Sequence, residues 1–414
     1  MKAVGTGETM SLNIRPLLSA LRRSPAGAIL VTLQVAITLA VLVNATWIVQ
    51  QRIEQIEAPT GFDTQDTFAI DIGSLSSRFN VAQAESEDLT YLRSLPGVAA
   101  ATATFGIPLT GYGSFGTHFW VQPGRGGRTA HTDILAADEQ TLGTLGVSLV
   151  AGRNFSPNEF QAYVPGKHIQ PAEIILTESL AHALFPRGSA LGKTIYNGSS
   201  APLTVIGITR DFIGAVGSSA TPYYTALVPV APGEGGFYAL LVRTRPGRRD
   251  AILSAAEQHI GASHREGVIN TTMTLAAAKE AFETNNRNMV IFLSVVTALM
   301  LAVCCLGIFG LTTFNVGSRT RHIGTRRAVG ARRSDIVMHF MVENALILSA
   351  GALLGSMLAL AIGAWLTARY SLPRLDLAYL LAGVIVLWVI GQLAAWQPAR
   401  RAARVPPSVA TRTV

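Results

Sequence analysis

The chain has 414 residues, of which 49% are hydrophobic and only 14% charged, with a mean hydropathy of +0.36. Soluble domains carry roughly 25% charged residues, so a wholly water-exposed chain is excluded, while the length leaves room for two or three domains. The formal charge is +8, and the two cysteines, Cys304 and Cys305, are neighbours; adjacent helical positions point about 100° apart, which excludes a disulfide framework and a cysteine-held zinc site.

Residues 1–26 form a short basic segment with Lys2, Arg15, Arg22 and Arg23. Residues 27–49, GAILVTLQVAITLAVLVNATWIV, then supply the run of about 20 apolar residues that a membrane-crossing helix needs. The run is too long for the apolar core of a signal peptide, and no clean small-x-small cleavage site follows, so it reads as an uncleaved anchor. Gln34 and Asn44 within it are single polar groups, expected to bond to neighbouring helices.

Residues 50–287 differ in character. Short strand-like runs (TFAIDIG at 67–73, VAAATATFGI at 98–107, LTVIGI at 203–208, YALLVRT at 238–244) alternate with helical patterns (ESEDLTYLRSL at 85–95, LTESLAHALF at 176–185, RRDAILSAAEQHI at 248–260). Such interleaving predicts an α+β or α/β domain. At its ends, 50–57 and 275–288 lack helix breakers and adjoin apolar runs. They are expected to continue those helices as a two-rod stalk, with Ile53 and Ile56 packing on Leu275, Ala278 and Phe282. At 1.5 Å per residue, 9–14 such residues reach roughly 13–20 Å.

Three more apolar segments follow at 288–314, 338–367 and 378–397. In the third of the four, Gly351, Gly355, Ala359 and Gly363 recur every four residues, a stripe that permits close helix approach within the chain or across a dimer. Glu343 lies in the same segment, where a carboxylate needs a partner; an arginine of the preceding block is the natural one. Residues 50–287 hold 17 Lys/Arg against 21 Asp/Glu, and the rest holds 16 against 4. The positive charge therefore flanks the apolar runs, before the first, at 315–337 and in the tail 398–414. The positive-inside rule places these three pieces in the cytoplasm, and the 50–287 domain and the short loop 368–377 outside. Arg369 and Arg374 on that loop dissent mildly. The expectation is a helical protein with four transmembrane helices in the inner (plasma) membrane, and a large α+β extracytoplasmic domain inserted between the first and second.

The basic block "RTRHIGTRRAVGARRSDI" (319–336) holds six arginines, no aromatic residue and two glycines. A loop of about twenty residues tied at both ends to the bilayer, without a stacking platform, is not a nucleic-acid site. Lipid phosphates would meet such charge, but topology alone does not need a helix broken at Gly330 and a second one capped by Ser334-Asp335. This stretch, as "RTRHIGTRRAVGARRSDIVMHFMVENALIL", resembles the signature R-x-x-E-I-G-I-R-x-A-x-G-A of the FtsX-like permeases, with His322 where that family usually has Glu. "LGVSLVAGRNFS" (145–156), "ILTESLAHALFPRGSALGKTI" (175–195) and "LTVIGITRDF" (203–212) look like the outer domain of MacB-type ABC permeases, and "PARRAARVPPSVATR" (398–412) is similar to the family tail.

The resemblance implies a non-catalytic permease subunit moved by a separate ATPase, a mechanism termed mechanotransmission. No cofactor is expected, ATP being bound by the partner. Family members with their own ATPase carry it before the first span, and the roughly 25 residues here leave no room for one. Arg319, Arg321, His322, Gly324, Arg326, Arg327, Gly330, Arg332, Arg333, Ser334 and Asp335 would form the element that docks the ATPase. Other implied partners are a second permease subunit, identical or similar, and a periplasmic adaptor. A membrane-anchored regulator whose outer domain controls a cell-envelope enzyme is the alternative, and an enzyme with its site in the outer domain a third reading.

Two features point elsewhere and fail on spacing. "GSALGKT" (188–194) imitates a phosphate-binding loop, but only three residues separate Gly188 from Gly192 where four are needed, and Arg187 stands where the first glycine is required. His118, His131, His168, His182, His259 and His264 show no metal-ligand spacing, and no local nucleophile–base motif is present, although a dispersed triad stays open.

Overall fold

The computed structural model describes residues 25–406 apart from 75, 77, 112–114, 165–170, 199–200, 215–221, 233–235, 265 and 371–373. Lys2, Arg15, Arg22, Arg23, His168 and the tail beyond 406 lie outside the described residues. In chain order the elements are α1 (Pro25–Glu57), β1 (Thr67–Gly73), α2 (Val81–Ser94), β2 (Val98–Thr104), β3 (Phe115–Gln122), β4 (Gly126–Ala136), α3 (Thr141–Leu145) and β5 (Leu149–Gly152). Then come β6 (Gln161–Ala162), β7 (Glu173–Thr177), α4 (Glu178–Leu184), β8 (Thr194–Tyr196), β9 (Pro202–Thr209), β10 (Thr225–Val228) and β11 (Val230–Ala231). The chain closes with β12 (Phe237–Thr244), α5 (Arg249–Ser263), β13 (Val268–Thr274), α6 (Leu275–Ser318), α7 (Thr320–Ala328), α8 (Arg333–Tyr370) and α9 (Leu377–Ala402). Two compact units result: Met1–Gln50, Val290–Leu366 and Arg374–Val414 make one, and Gln51–Met289 with Thr367–Pro373 the other.

In the first unit, α1, α6, α8 and α9 are each long and apolar enough to cross a membrane. Even the 26 residues of α9 span about 39 Å, more than the roughly 30 Å hydrocarbon core. Val31, Val35, Leu39 and Val43 recur every four residues on α1 and meet Ile308 of α6, Leu348 of α8 and Leu387 of α9 in one core. Here the small-residue stripe does its packing. A Cβ on Gly355 would stand 2.8 Å from the Ala36 carbonyl oxygen, and one on Gly351 2.6 Å from Val35. The stripe thus seats α8 on α1 within the chain. Ala359 is fully buried at the same seam, and its carbonyl accepts the Asn44 side-chain amide at 3.2 Å. Gln34 donates to the Val303 carbonyl of α6 at 2.8 Å.

The second unit is α+β. Its four-stranded antiparallel sheet runs β13-β1-β12-β2. With α2 linking β1 to β2 and α5 linking β12 to β13, this is the split βαβ arrangement of ferredoxin-like folds. Everything from β3 to β11 is inserted between its halves. Seven of the inserted strands form one sheet, β5-β9-β7-β10-β4-β3-β8, with β6 and β11 paired separately, and an additional β9–β8 pairing closes six of the seven into a ring. Inward positions alternate, as in Ile174 and Leu176, Leu203 and Val205, Ala226 and Val228, and these fill the interior. A second core under the four-stranded sheet joins Phe68, Ile70 and Ile72 to Leu92 of α2 and Ile252, Ala256 and Ile260 of α5. Pairing of β1 with β13, Phe68 opposite Thr274, brings the two ends of this unit side by side.

Candidate coupling site

Two short structural devices shape the basic block. Helix α7 ends in a Schellman turn: the Gly330 amide donates to the Arg327 carbonyl at 3.2 Å and the Ala331 amide to the Arg326 carbonyl at 3.1 Å. Gly330 sits at φ +104°, the left-handed region that glycine alone enters at no cost. Helix α8 then starts at Arg333, one residue before the expected cap. Its N-cap is Arg332, whose amide is accepted by the Asp335 carboxylate at 2.9 Å, so Ser334 lies inside the first turn. The carboxylate wins because a side chain three residues on can reach back to the cap amide, as in half of a capping box.

The arginines divide into two kinds. Arg319 donates to Glu343 at 2.9 Å, and Glu343 is only 3% exposed. Arg327 donates to the carbonyls of Ala403 and Val405, at 3.1 and 3.0 Å, at the end of α9. Both lie partly buried and are structural clamps. Removing either partner of the Arg319–Glu343 pair would strand a buried charge. Ile323 pins α7 from below, in a cluster with Ile336, Phe340, Ala399 and Ala402, and Gly324 is buried beside it. By contrast Arg321, His322, Arg326, Arg332 and Arg333 are exposed, and so is Val329, at 85%. The result is a helix–turn that is anchored underneath and presents four arginines around one bare aliphatic side chain. Such a surface is complementary in charge to an acidic, partly apolar face. Val329 escaped sequence reasoning because one valine in a basic run carries no signal.

The helix extensions beyond the apolar runs exist: α1 continues unbroken to Glu57, and α6 begins at Leu275. Their packing differs from expectation. Leu275, Ala278 and Phe282 are buried, but in a core with Ala69, Leu241 and Phe212, against which Ala58 and Phe62 pack. Ile53 and Ile56 stay half-buried outside it. The two rods are joined by polar groups instead. Arg52 of α1, which also donates to Gln55 on its own helix at 3.0 Å, donates across to Asn286 of α6 at 3.1 Å, and Asn286 is 1% exposed. The apolar face of α6 goes to the larger partner available, the domain core, which leaves the rod-to-rod seam to hydrogen bonds.

Other sequence candidates resolve as structure. Gly188 and Gly192, both at positive φ, form the turn between α4 and β8. Among the described residues no three metal-ligating side chains converge. His118 and His131 face each other across β3 and β4, 4.6 Å between rings. Desolvation, then the neighbouring His118, pushes His131 down to about 4. Asp88, His259 and Ser263 do come together, yet both Asp88 Oδ1 and Ser263 Oγ approach the same His259 nitrogen, Nε2, at 3.9 and 3.5 Å. A relay needs one partner at each ring nitrogen, so this is no triad. Asp88 is a buried strut that also accepts from Tyr238 at 2.6 Å and pairs with His264 at 2.8 Å.

Comparison with known proteins matches this architecture. Residues 28–259 fit the family model of the MacB-like periplasmic core domain, and 294–407 that of the FtsX-like permease C-terminal domain. The macrolide export ATP-binding/permease protein MacB of Agrobacterium fabrum is 29% identical over 276 residues, 63% of this chain and 40% of that protein. The probable syringafactin export ATP-binding/permease protein SyfD of Pseudomonas syringae pv. tomato is 31% identical over 274 residues, 63% and 39% of the two chains. MacB of Escherichia coli K12 is 31% identical over 247 residues, 56% and 37%. The chain spans about 40% of the length of these curated relatives. The crystal structure of the periplasmic region of MacB from Actinobacillus actinomycetemcomitans aligns at 16% identity over 55% of this chain and 98% of that one, with a TM-score of 0.34, too loose to argue from. With one family model covering more than half of it and the other most of the rest, the chain belongs to the FtsX-like permeases that carry a MacB-like periplasmic core domain.

Proposed function

We propose that the chain is the permease subunit of a MacB/FtsX-type ABC transporter, one that binds no nucleotide and couples hydrolysis by a separate cytoplasmic ATPase to movement of its outer domain during efflux or export. In this reading α1, α6, α8 and α9 cross the inner membrane, with both termini and α7 on the cytoplasmic side. The α+β unit, inserted between the first and second spans, stands outside. A second permease copy is expected because ABC ATPases act in pairs, and a periplasmic adaptor can join the outer domain. Lipid headgroups meet the flanking arginines.

One observation carries the proposal: the division of the arginines at α7. Two of them hold the helix to Glu343 and to the end of α9, and four point outward around Val329. A device that only fixed topology would need no anchored helix. The test is ATP hydrolysis by the complex of this chain with its ATPase in lipid nanodiscs. Arg321→Glu with Arg326→Glu should cost at least ten-fold in permease-dependent ATPase activity while the chain still inserts and folds. Equal activity with the reversed charges would remove α7 as the docking element.

A further inference from the structure

The outer unit contains a cavity that the coupling mechanism does not use. It opens at the mouth of the six-strand ring formed by β8, β3, β4, β10, β7 and β9, and has a volume of about 250 Å³. Phe105, Phe115, Phe119, Tyr163 and Phe237 line it, with Ala136 and Val228 behind them. The aromatic wall is ordered: Phe105 meets Tyr163 edge-on at 5.0 Å and Phe237 at 5.6 Å. Among the described residues no charged side chain contributes to the lining, and Thr117 and Asn197 supply its polar side chains apart from the Tyr163 hydroxyl.

Three arguments make this more than imperfect packing. Protein interiors rarely leave voids larger than a water molecule. In a pocket that opens to solvent, aromatic and aliphatic walls like these stay short of contacts unless something fills it. Water is a poor filler, because an ordered water needs two to four polar partners, and these walls offer few. Phe115 at the rim is 55% exposed, so an aromatic side chain is held at the entrance without being buried. A cavity of about 150 Å³ already takes benzene. The volume here accommodates a two-ring aromatic or an alkyl chain of about eight to ten carbons. Absence of charge selects against ionised ligands, whose desolvation nothing would offset. The volume is that of a small molecule and well below that of a helix or a strand of several residues.

We infer that the mouth of the strand ring binds an uncharged, predominantly apolar small molecule whose single hydrogen-bonding end is met by Thr117. Binding of this kind needs neither the ATPase nor movement, so it stands apart from the coupling proposal. Occupancy would tie β4 and β10, which carry Ala136 and Val228, to Phe237 at the start of β12, and so brace the ring against the four-stranded sheet.

The test uses the full chain in lipid nanodiscs, irradiated with an uncharged diazirine-bearing nonanol, with labelled peptides mapped by mass spectrometry. Labelling is expected on peptides containing Phe105, Tyr163 or Phe237, and excess nonan-1-ol should reduce it at least five-fold. Ala136→Leu and Val228→Phe, which fill the cavity, should each lower that labelling at least five-fold and leave labelling of the apolar helices unchanged. Confinement of the label to the apolar helices would overturn the inference. So would outer-domain labelling that nonan-1-ol does not compete, a result that stands on the wild-type chain even if a variant fails to fold.

Discussion

Gly330 offers the cleanest perturbation of the coupling segment, because its environment separates backbone strain from crowding. A Cβ added there would meet nothing within 4 Å, so a side chain at position 330 starts in open space. What remains is the backbone: φ is +104°, and the turn it makes supplies the amides of Gly330 and Ala331 to the last carbonyls of α7. Holding a non-glycine residue in such a region costs about 1–3 kcal/mol, more at the upper end for a β-branched one. That cost lowers the population of the observed turn by about five- to 150-fold relative to alternatives. Ile323 and Arg327 should keep α7 attached, so insertion and overall stability are expected to change little. The direction in which Val329 and Arg332 project should change a great deal. The assay is permease-dependent ATP hydrolysis in nanodiscs, with Gly330→Asn as a graded control, since asparagine enters the left-handed region more readily than other non-glycine residues. The expected order is Gly, then Asn, then Val, with Val losing at least five-fold. Full activity in the valine variant, or an asparagine variant as impaired as valine, would refute the reasoning from turn geometry.

Two further outcomes follow from the outer unit and its stalk. Ala281 is exposed on the extension of α6, so Ala281→Pro removes a helix hydrogen bond without truncating a buried side chain, at about 3 kcal/mol, and kinks the rod. ATPase activity should survive while export by the complex falls by ten-fold or more; export unchanged would mean that motion does not pass along this helix. Burial pushes Glu85 up to about 7 from an ordinary 4.5, with Asp138 adding to the rise and Arg93 opposing it. A carboxyl raised in the folded state holds its proton more tightly there, so its contribution to stability is complete below pH 4.5 and is lost as pH rises through 7. Glu85→Gln should therefore melt with the wild-type chain at pH 4 and above it at pH 8. The gap has an upper limit on the order of 3 kcal/mol, reduced by partial exposure. Identical melting at both values would contradict this.

What sequence alone reveals here depends on how local the cause is. The apolar runs are legible because a bilayer demands them residue by residue, and Thr67–Gly73 is legible because its apolar pattern is short and bounded. Leu176 and Thr177 read as the start of a helix but end β7, since a brief apolar run satisfies both periodicities. The closed ring and the β1–β13 pairing are absent from any window of sequence, being contacts between distant strands. The same holds for the site. Arginine content and the break at Gly330 are visible in the string. The fate of each arginine is not: Arg319 finds Glu343 24 residues on, and Arg327 finds Ala403 76 residues on. Sequence position points Ile53 and Ile56 at the stalk seam, whereas Arg52 and Asn286 bond across it, because the competing domain core takes the apolar face of α6.

Sidedness underlies every step from ATPase to outer domain, and single-cysteine labelling measures it directly. With Cys304 and Cys305 replaced by alanine, Val329→Cys and Asp250→Cys each place one exposed thiol, the first beside Gly330 and the second at the start of α5. A membrane-impermeant maleimide added to intact spheroplasts should label position 250 fully and leave position 329 unlabelled until the membrane is permeabilised. Labelling of position 329 from outside, with position 250 protected, would place α7 beyond the reach of any cytoplasmic ATPase and contradict the account.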